Sequence, residues 1–213
     1  MSTDDAEEKK CDSVFAMPEN FIPLEYRWPK KGDHLLSAVD DLPQSITFAE
    51  HVFERDVLIW DGYFKAGAVL ADQCEHGDNL DRHTLIYPIL FCYRHGLELA
   101  MKCIIGRYDQ FAEIPMHHDL WVLWEVCKTV ILEQGSDGEN EALRAVEQVV
   151  KEFHDLDQGS FSFRYSTDKK RMVIPLPDVP IDLTNIRDVM TGIVHFFDGV
   201  DAQLGYNRDL SSQ

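Results

Sequence analysis

The stretch that most constrains the fold of this chain is residues 85–107, LIYPILFCYRHGLELAMKCIIGR. Its length suits a helix of about six turns, and most of its positions are apolar. A helix that is apolar on nearly all sides belongs in a core, so we expect Leu97 and Ile104 to be buried. The polar side chains in its middle must then be satisfied inside the protein, or line a cleft or an interface.

Four charged or titratable side chains interrupt this apolar stretch: Arg94, His95, Glu98 and Lys102. At about 100° per residue they share one stripe of the helix, with Tyr87 near its edge. The spacing of four from Arg94 to Glu98 to Lys102 is that of surface ion pairs, so a solvated face explains Glu98 and Lys102 as well as a site does. Arg94 and His95 have apolar neighbours, and both a structural and a functional role are open for them.

The charge of the chain restricts its partners. Twenty basic residues against 38 acidic ones give a formal net charge of −18. Such a surface repels a phosphate backbone, which excludes nonspecific nucleic-acid binding over a broad face but leaves room for a local basic pocket. The five cysteines form no CxxC pair, which indicates reduced thiols. Since the sequence shows no apolar signal segment and no transmembrane stretch, we expect a soluble, cytoplasmic protein that does not bind membranes.

The length of 213 residues suits one domain with appendages. Residues 1–13 are charged and without periodicity, so we expect a frayed tail. Residues 14–45 are broken by prolines and rich in aromatic side chains, which predicts an extended arm strapped across the domain or onto a partner subunit. The tail and arm (residues 1–45) would thus precede a helical domain over residues 46–206.

Apolar periodicity predicts five helices in that domain. The first begins at Ser45 or Thr47, with Glu50 completing a capping box, and ends near Cys74. After a polar turn over residues 75–81, the others cover residues 85–107, a segment capped by His118 or Asp119, residues 141–157, and residues 182–204 capped by Asp182 or Thr184. Leu120, Trp121 and Trp124 are expected in the core.

The periodicity changes between the last two helices. Residues 161–177, FSFRYSTDKKRMVIPLP, alternate around the polar tip STDKK, which predicts a hairpin of two short strands. The predicted fold class is therefore mostly all-α, an antiparallel up-and-down helical bundle with a small β-hairpin before the last helix.

Two further groups are candidates for a site. His117, His118 and Asp119 form the densest histidine cluster, but neighbouring residues on a helix point about 100° apart, so we expect a helix cap and no metal site. Arg164 is either a clamp for an anion or carboxylate, or a cross-strand partner of a surface acid. No P-loop, GxGxxG, HExxH or nucleophile-elbow motif is present, and no cofactor is predicted.

The segments YRHGLELAMKCII, HDLWVLW and FRYSTDKK, followed by a terminal helix, resemble bacterial proteins of the HEPN-like superfamily (higher eukaryotes and prokaryotes nucleotide-binding). The resemblance covers residues 48–204. It implies a helical bundle that forms a homodimer, in a defence or toxin–antitoxin setting. Many such proteins are metal-independent ribonucleases, in which Arg-x(4–6)-His motifs of two subunits meet at the dimer cleft. Others lack the motif and act as binding or scaffolding proteins.

No helix of this chain matches that motif, because Arg94 and His95 are adjacent; Arg27 and His34 fit the spacing but lie in the arm. We therefore expect a dimeric domain that binds RNA, a nucleotide or a partner protein, with a purely structural role left open. The alternative is a ribonuclease with a composite Arg/His site at the dimer interface, its general base His95 or His118 and its phosphorane-stabilising cation Arg94 or Lys102. The candidate site residues are Arg94, His95 and His118 for catalysis and Tyr87, Glu98, Lys102, Asp119 and Arg164 for binding.

Overall fold

The computed structural model describes residues 28–35, 46–109, 111, 113–115, 117–135 and 140–211. Within these ranges the chain forms five helices: α1 (Val52–His76), α2 (Asn79–Tyr108), α3 (Leu120–Gln134), α4 (Glu141–Leu156) and α5 (Leu183–Ser211). The predicted all-α class is thereby confirmed, and the helices belong to one compact unit. The predicted tail lies outside the described residues, as does most of the predicted arm.

Helix α2 lies at the centre of the bundle, since it packs against α1, α3 and α5. The side chain of Asp78 accepts a hydrogen bond from the backbone N–H of Asp81 at 3.0 Å, and this cap starts α2 earlier than predicted. The predicted polar turn accordingly shrinks to Gly77 and Asp78. Leu97 and Ile104 are buried, as predicted. The helices of one chain thus cover most of the apolar surface of α2.

Two glycines allow α1 and α2 to pack closely as an antiparallel pair. A Cβ atom added to Gly67 of α1 would lie 2.8 Å from the ring of Tyr93, and one added to Gly96 of α2 would lie 3.1 Å from the ring of Phe64. The start of α1 differs from the prediction. His51 is the N-cap and makes no side-chain capping bond, so the predicted capping box, which required a helix beginning earlier, is wrong.

Side-chain caps fix the starts of two later helices. Asp119 accepts hydrogen bonds from the backbone N–H groups of Trp121 and Val122, at the start of α3. Asp182 accepts one from Asn185 at the start of α5. Of the alternatives left by the sequence, Asp119 and Asp182 are therefore the caps. Helix α5 continues to Ser211, so the predicted end of this helix at residue 204 is wrong.

The helix directions depart from a simple up-and-down order. His118, just before α3, contacts Arg94 and Glu98, while Gln134 at the end of α3 donates to the carbonyl of Tyr108 at the end of α2. Helices α2 and α3 therefore run parallel, joined by a crossover over residues 109–119. Helices α1 with α2, α3 with α4, and α4 with α5 run in opposite directions, because α5 follows α2 from Glu75 to Arg107 while α4 runs against α3. The predicted topology is therefore wrong only for α2 and α3, where that crossover returns the chain along α2.

The predicted β-hairpin between α4 and α5 does not form. In this segment, which is fully described, the only strand-like pairing is one antiparallel bridge between Thr167 and Val173. The N–H groups of Arg164 and Tyr165 instead bond to the carbonyl of Phe161 as a turn. Prolines at positions 175, 177 and 180 remove the backbone donors that a second strand needs.

Candidate functional site

Arg94 is the centre of a polar cluster inside the bundle, which we call the Arg94 cluster: Arg94, Glu98, Lys102, His118 and Asp157. The Arg94 side chain is 0% exposed. Its Nε donates to the carbonyl of Asp157 at 2.9 Å, one terminal nitrogen donates to the carbonyl of His118 at 2.6 Å, and the other lies 3.3 Å from a carboxylate oxygen of Glu98. All three guanidinium nitrogens thus have protein partners.

Glu98 receives three cationic or polar groups although it is only 1% exposed. Lys102 Nζ donates to it at 2.8 Å, and His118 Nδ1 lies 3.0 Å from the same oxygen. Burial raises the pKa of Glu98, but the hydrogen bonds from Lys102 and His118 outweigh burial and hold the pKa below its ordinary value. The carboxylate is therefore ionised inside the protein, where it compensates the buried charge of Arg94.

The cluster connects elements that are distant in sequence. Through Arg94, helix α2 is bonded to His118, two residues before α3, and to Asp157, the residue after α4. Burial lowers the pKa of Arg94, while the carboxylates of Asp157 and Glu98 raise it in part. These contacts are those of a structural clamp, and they leave Arg94 without a face toward solvent.

His95 does not join this cluster, although it follows Arg94 directly in the sequence. Its ring stacks on Phe91, with centroids 5.5 Å apart and planes inclined by 10°, and meets Tyr63 of α1 edge-on. Burial lowers the pKa of His95. A turn of about 100° between successive helical residues separates the two side chains. The structure thus does not place Arg94 and His95 as a cooperating pair.

The predicted candidate Asp119 serves α3 as its cap, with His154 Nδ1 3.2 Å from its carboxylate. The neighbouring His117 ring accepts a hydrogen bond from the backbone N–H of Asp119 at 3.2 Å. In the described part of the chain, no three His, Cys, Asp or Glu side chains are grouped so as to hold a metal ion.

Tyr87 and Arg164 meet at a cavity of about 490 Å³ between α2 and the segment that follows α4. We call it the aromatic pocket. Arg164 lies over the ring of Phe91 at 5.5 Å and over that of Tyr165 at 5.4 Å, and its guanidinium donates to the carbonyl of Ser160. The pocket is lined by Tyr87, Ser162, Phe163, Arg164, Tyr165, Ser166, Val173, Ile174 and Leu176.

Asp157 ties the aromatic pocket to the Arg94 cluster. Its carbonyl accepts from Arg94, and its carboxylate accepts from the backbone N–H groups of Phe161 and Ser162, which begin the pocket wall. Ser160, with a φ of 60°, turns the chain between these contacts. The buried cluster therefore holds the base of the pocket loop in place.

Sequence reasoning did not find Asp157, since nothing around it marks a residue that bonds to an arginine 63 positions earlier. It also treated Lys169 and Lys170 only as part of a polar tip, and it did not single out Arg171. A signal for these residues exists in the sequence, because residues 164–171 hold four basic residues and one acidic residue in a strongly acidic chain.

A scan against protein-family models and searches of curated proteins and solved structures each returned no match. None of the helices in the described ranges is both long and apolar enough to span a bilayer. What this chain does must therefore be inferred from the chemistry of its own residues.

Proposed function

We propose that this protein is a non-catalytic, HEPN-like binding domain that holds an unpaired base of RNA, or a nucleotide, in the aromatic pocket. The observation that carries the proposal is Arg164, an exposed cation held between the rings of Phe91 and Tyr165 beside a third aromatic residue, Tyr87. Stacking on aromatic and guanidinium planes is how proteins bind unpaired bases, and the cation attracts phosphate.

The exposure of the aromatic residues supports this proposal. Tyr165 is 58% exposed and Tyr87 is 45% exposed, and both line the cavity. A ligand bound in the cavity would therefore cover ring surface that is now in solvent. The hydroxyls of Ser162 and Ser166 supply polar groups at the wall, as ligand pockets typically require. The homodimer and the defence or toxin–antitoxin setting that the HEPN-like resemblance implies belong to the same proposal.

Calorimetric titration with AMP and with single-stranded pentaadenylate tests it. We expect binding to wild type, and weaker binding to Tyr87→Ala and to Arg164→Gln, because a stacked base contributes about 1–3 kcal/mol. Tyr206→Ala removes an exposed tyrosine of α5 and serves as the control that keeps its affinity. If wild type binds neither ligand, the proposal is wrong and a partner protein becomes the better candidate for this pocket.

A second candidate function rests on a different observation. The His118 side chain is 52% exposed, yet its Nδ1 lies 3.0 Å from the buried carboxylate of Glu98, and Lys102 bonds to the same carboxylate. A carboxylate that orients one ring nitrogen leaves the other available as a general base, with a cation close by. This arrangement favours metal-independent RNA cleavage, with His118 as the base and Lys102 in place of Arg94 as the stabilising cation.

Cleavage of a single-stranded RNA in the presence of a chelator tests this second function. We expect His118→Gln to abolish any cleavage and His95→Gln to leave it unchanged, because His95 stacks between aromatic rings away from Glu98. Cleavage that persists in His118→Gln, or the absence of cleavage by wild type, would remove the nuclease from consideration.

A further inference from the structure

The turn that follows the aromatic pocket carries three consecutive cations. Its backbone is closed by the N–H of Asp168 bonding to the carbonyl of Met172 at 2.9 Å, and by the Asp168 carboxylate accepting from Lys170 and Met172. Arg171 completes it with a φ of 62°. We call residues 168–171 the cationic turn. Its backbone bonds do not involve the basic side chains, which are therefore free to contact a ligand.

The basic side chains of the cationic turn are not paired with acidic residues in the described part of the chain. Lys169, Lys170 and Arg171 are exposed, and none of them forms an ion pair with another residue that the structure describes. By contrast, Lys65, Lys102 and Lys151 elsewhere in the bundle are each paired with a carboxylate. In a chain with a net charge of −18, an unpaired cluster of this kind is a localised attraction for anions.

The cationic turn is an extension of the pocket wall. Ser166 and Val173 both line the aromatic pocket, and the bridge between Thr167 and Val173 joins the two sides of the loop just before the turn. A chain of phosphates that leaves a base bound in the pocket can therefore follow this wall to Lys169, Lys170 and Arg171. A free mononucleotide is too short to make the same contacts.

We infer that the ligand of this site is a single strand of RNA, whose one base occupies the aromatic pocket while the following phosphates lie on the cationic turn. The inference rests on the proposed function of the pocket and adds the class of ligand. A duplex is excluded as ligand because its bases are paired and unavailable for stacking, and because its two charged backbones would approach the acidic remainder of the surface.

Comparison of AMP with single-stranded pentaadenylate tests the inference, using the triple variant K169Q/K170Q/R171Q. Asp168 is kept, so the backbone of the turn is retained. The triple variant K65Q/R144Q/K151Q changes the net charge equally at exposed positions of α1 and α4 and serves as the control. Thermal melts establish that each variant is folded.

We expect wild type to bind pentaadenylate more tightly than AMP. The turn variant should lose about tenfold or more in affinity for pentaadenylate, with its affinity for AMP unchanged. For the turn variant, the slope of log affinity against log salt concentration should be shallower than for wild type, by about 0.7 for each phosphate that the turn no longer binds. The control variant should retain most of the affinity for pentaadenylate.

Several outcomes would overturn the inference while leaving the pocket intact: equal affinities of wild type for AMP and pentaadenylate, an unchanged affinity of the turn variant for pentaadenylate, or equal losses for both ligands. If wild type binds neither AMP nor pentaadenylate, the proposed function itself fails. The two failures are thus distinguished in the same titration.

Discussion

Arg94 and Glu98 are two charged side chains buried in this bundle, and each compensates the charge of the other. Their distance is 3.3 Å, and both are removed from solvent. A buried ion pair adds little net stability compared with apolar residues, but the loss of one partner leaves the other as an uncompensated charge. At the scale of the residue, the chemistry that made Arg94 a candidate for catalysis is used to join helices.

Arg94→Ala should therefore lower the free energy of unfolding by about 3–5 kcal/mol, because buried Glu98 loses one of its three partners and the carbonyls of His118 and Asp157 lose their donor. Urea unfolding at neutral pH measures the effect. His95→Ala, one position along α2, removes contacts to aromatic rings and no ion pair. Its free energy of unfolding is the value with which that of Arg94→Ala is compared. A loss below about 1 kcal/mol for Arg94→Ala would show that the Arg94 cluster is not structural.

Glu98 should make the stability of the protein depend on pH in the acid range. Its pKa in the folded state lies below the ordinary value of 4.5, so the ionised carboxylate stabilises the fold at pH values above 4.5. This contribution falls away as the pH drops below 4.5 through the folded pKa. Unfolding free energies measured on both sides of that range should converge for wild type and Glu98→Gln at the acid end.

Glu152→Gln is the control for this titration, since Glu152 lies exposed on α4 and accepts only from Gln148. Its difference from wild type should be small at every pH. A constant difference between wild type and Glu98→Gln down to the lowest pH at which the protein folds would contradict the structural role of the ionised carboxylate.

At the scale of the element, the packing of α1 on α2 is set by positions that lack a side chain. Gly67 faces the ring of Tyr93 and Gly96 faces the ring of Phe64. A Cβ atom at either glycine would lie too close to the ring that it faces. Gly192 and Gly199 of α5 have open space where a Cβ would stand. Close packing thus requires glycine at these positions of α1 and α2, but not at the two positions of α5.

Gly67→Ala should lower stability by about 1–3 kcal/mol, because its Cβ would lie 2.8 Å from the Tyr93 ring and force that buried side chain to shift. Gly192→Ala should raise stability by about 0.5–1 kcal/mol, because alanine loses less conformational freedom in a helix. Thermal and urea unfolding of the two variants should show opposite signs. A stabilised Gly67→Ala would contradict the close approach of α1 and α2.

The sequence was sufficient for the features that depend on neighbouring residues. The apolar pattern around Leu97 and Ile104 predicted the central helix, and Asp119 and Asp182 were among the predicted caps. The sequence was insufficient where distant contacts decide. Alternation around residues 161–177 predicted a hairpin, but the backbone N–H groups of Phe161 and Ser162 donate to the Asp157 carboxylate and fold the segment into turns.

For the candidate site, the sequence likewise predicted individual residues but not their arrangement. Tyr87 and Arg164 were both predicted to bind, and the structure brings them to one pocket. Nothing local indicated that they would meet, or that Arg94 would be enclosed by the ends of α3 and α4. The crossover that makes α3 parallel to α2 creates that enclosure, and a pattern of helical periodicity contains no information on direction.

At the scale of the whole molecule, self-association remains a prediction. The apolar surface of α2 is covered largely by helices of the same chain, whereas Phe48, Val52 and Phe53 at and before the start of α1 are exposed. Exposed apolar residues close together in sequence are typical of an interface. Sedimentation at micromolar concentration should show a dimer, and a species of only 24.5 kDa would contradict it.

In the proposed division of roles, the Arg94 cluster maintains the fold while the aromatic pocket binds the ligand. The most direct test measures pentaadenylate affinity and urea unfolding on the same samples of wild type, Glu98→Gln and Tyr165→Ala. Tyr165→Ala should lose about five- to 150-fold in affinity, with its stability nearly unchanged. Glu98→Gln should be less stable than wild type, with its affinity retained where it is folded. The opposite pattern, with affinity lost in Glu98→Gln and kept in Tyr165→Ala, would contradict the claim.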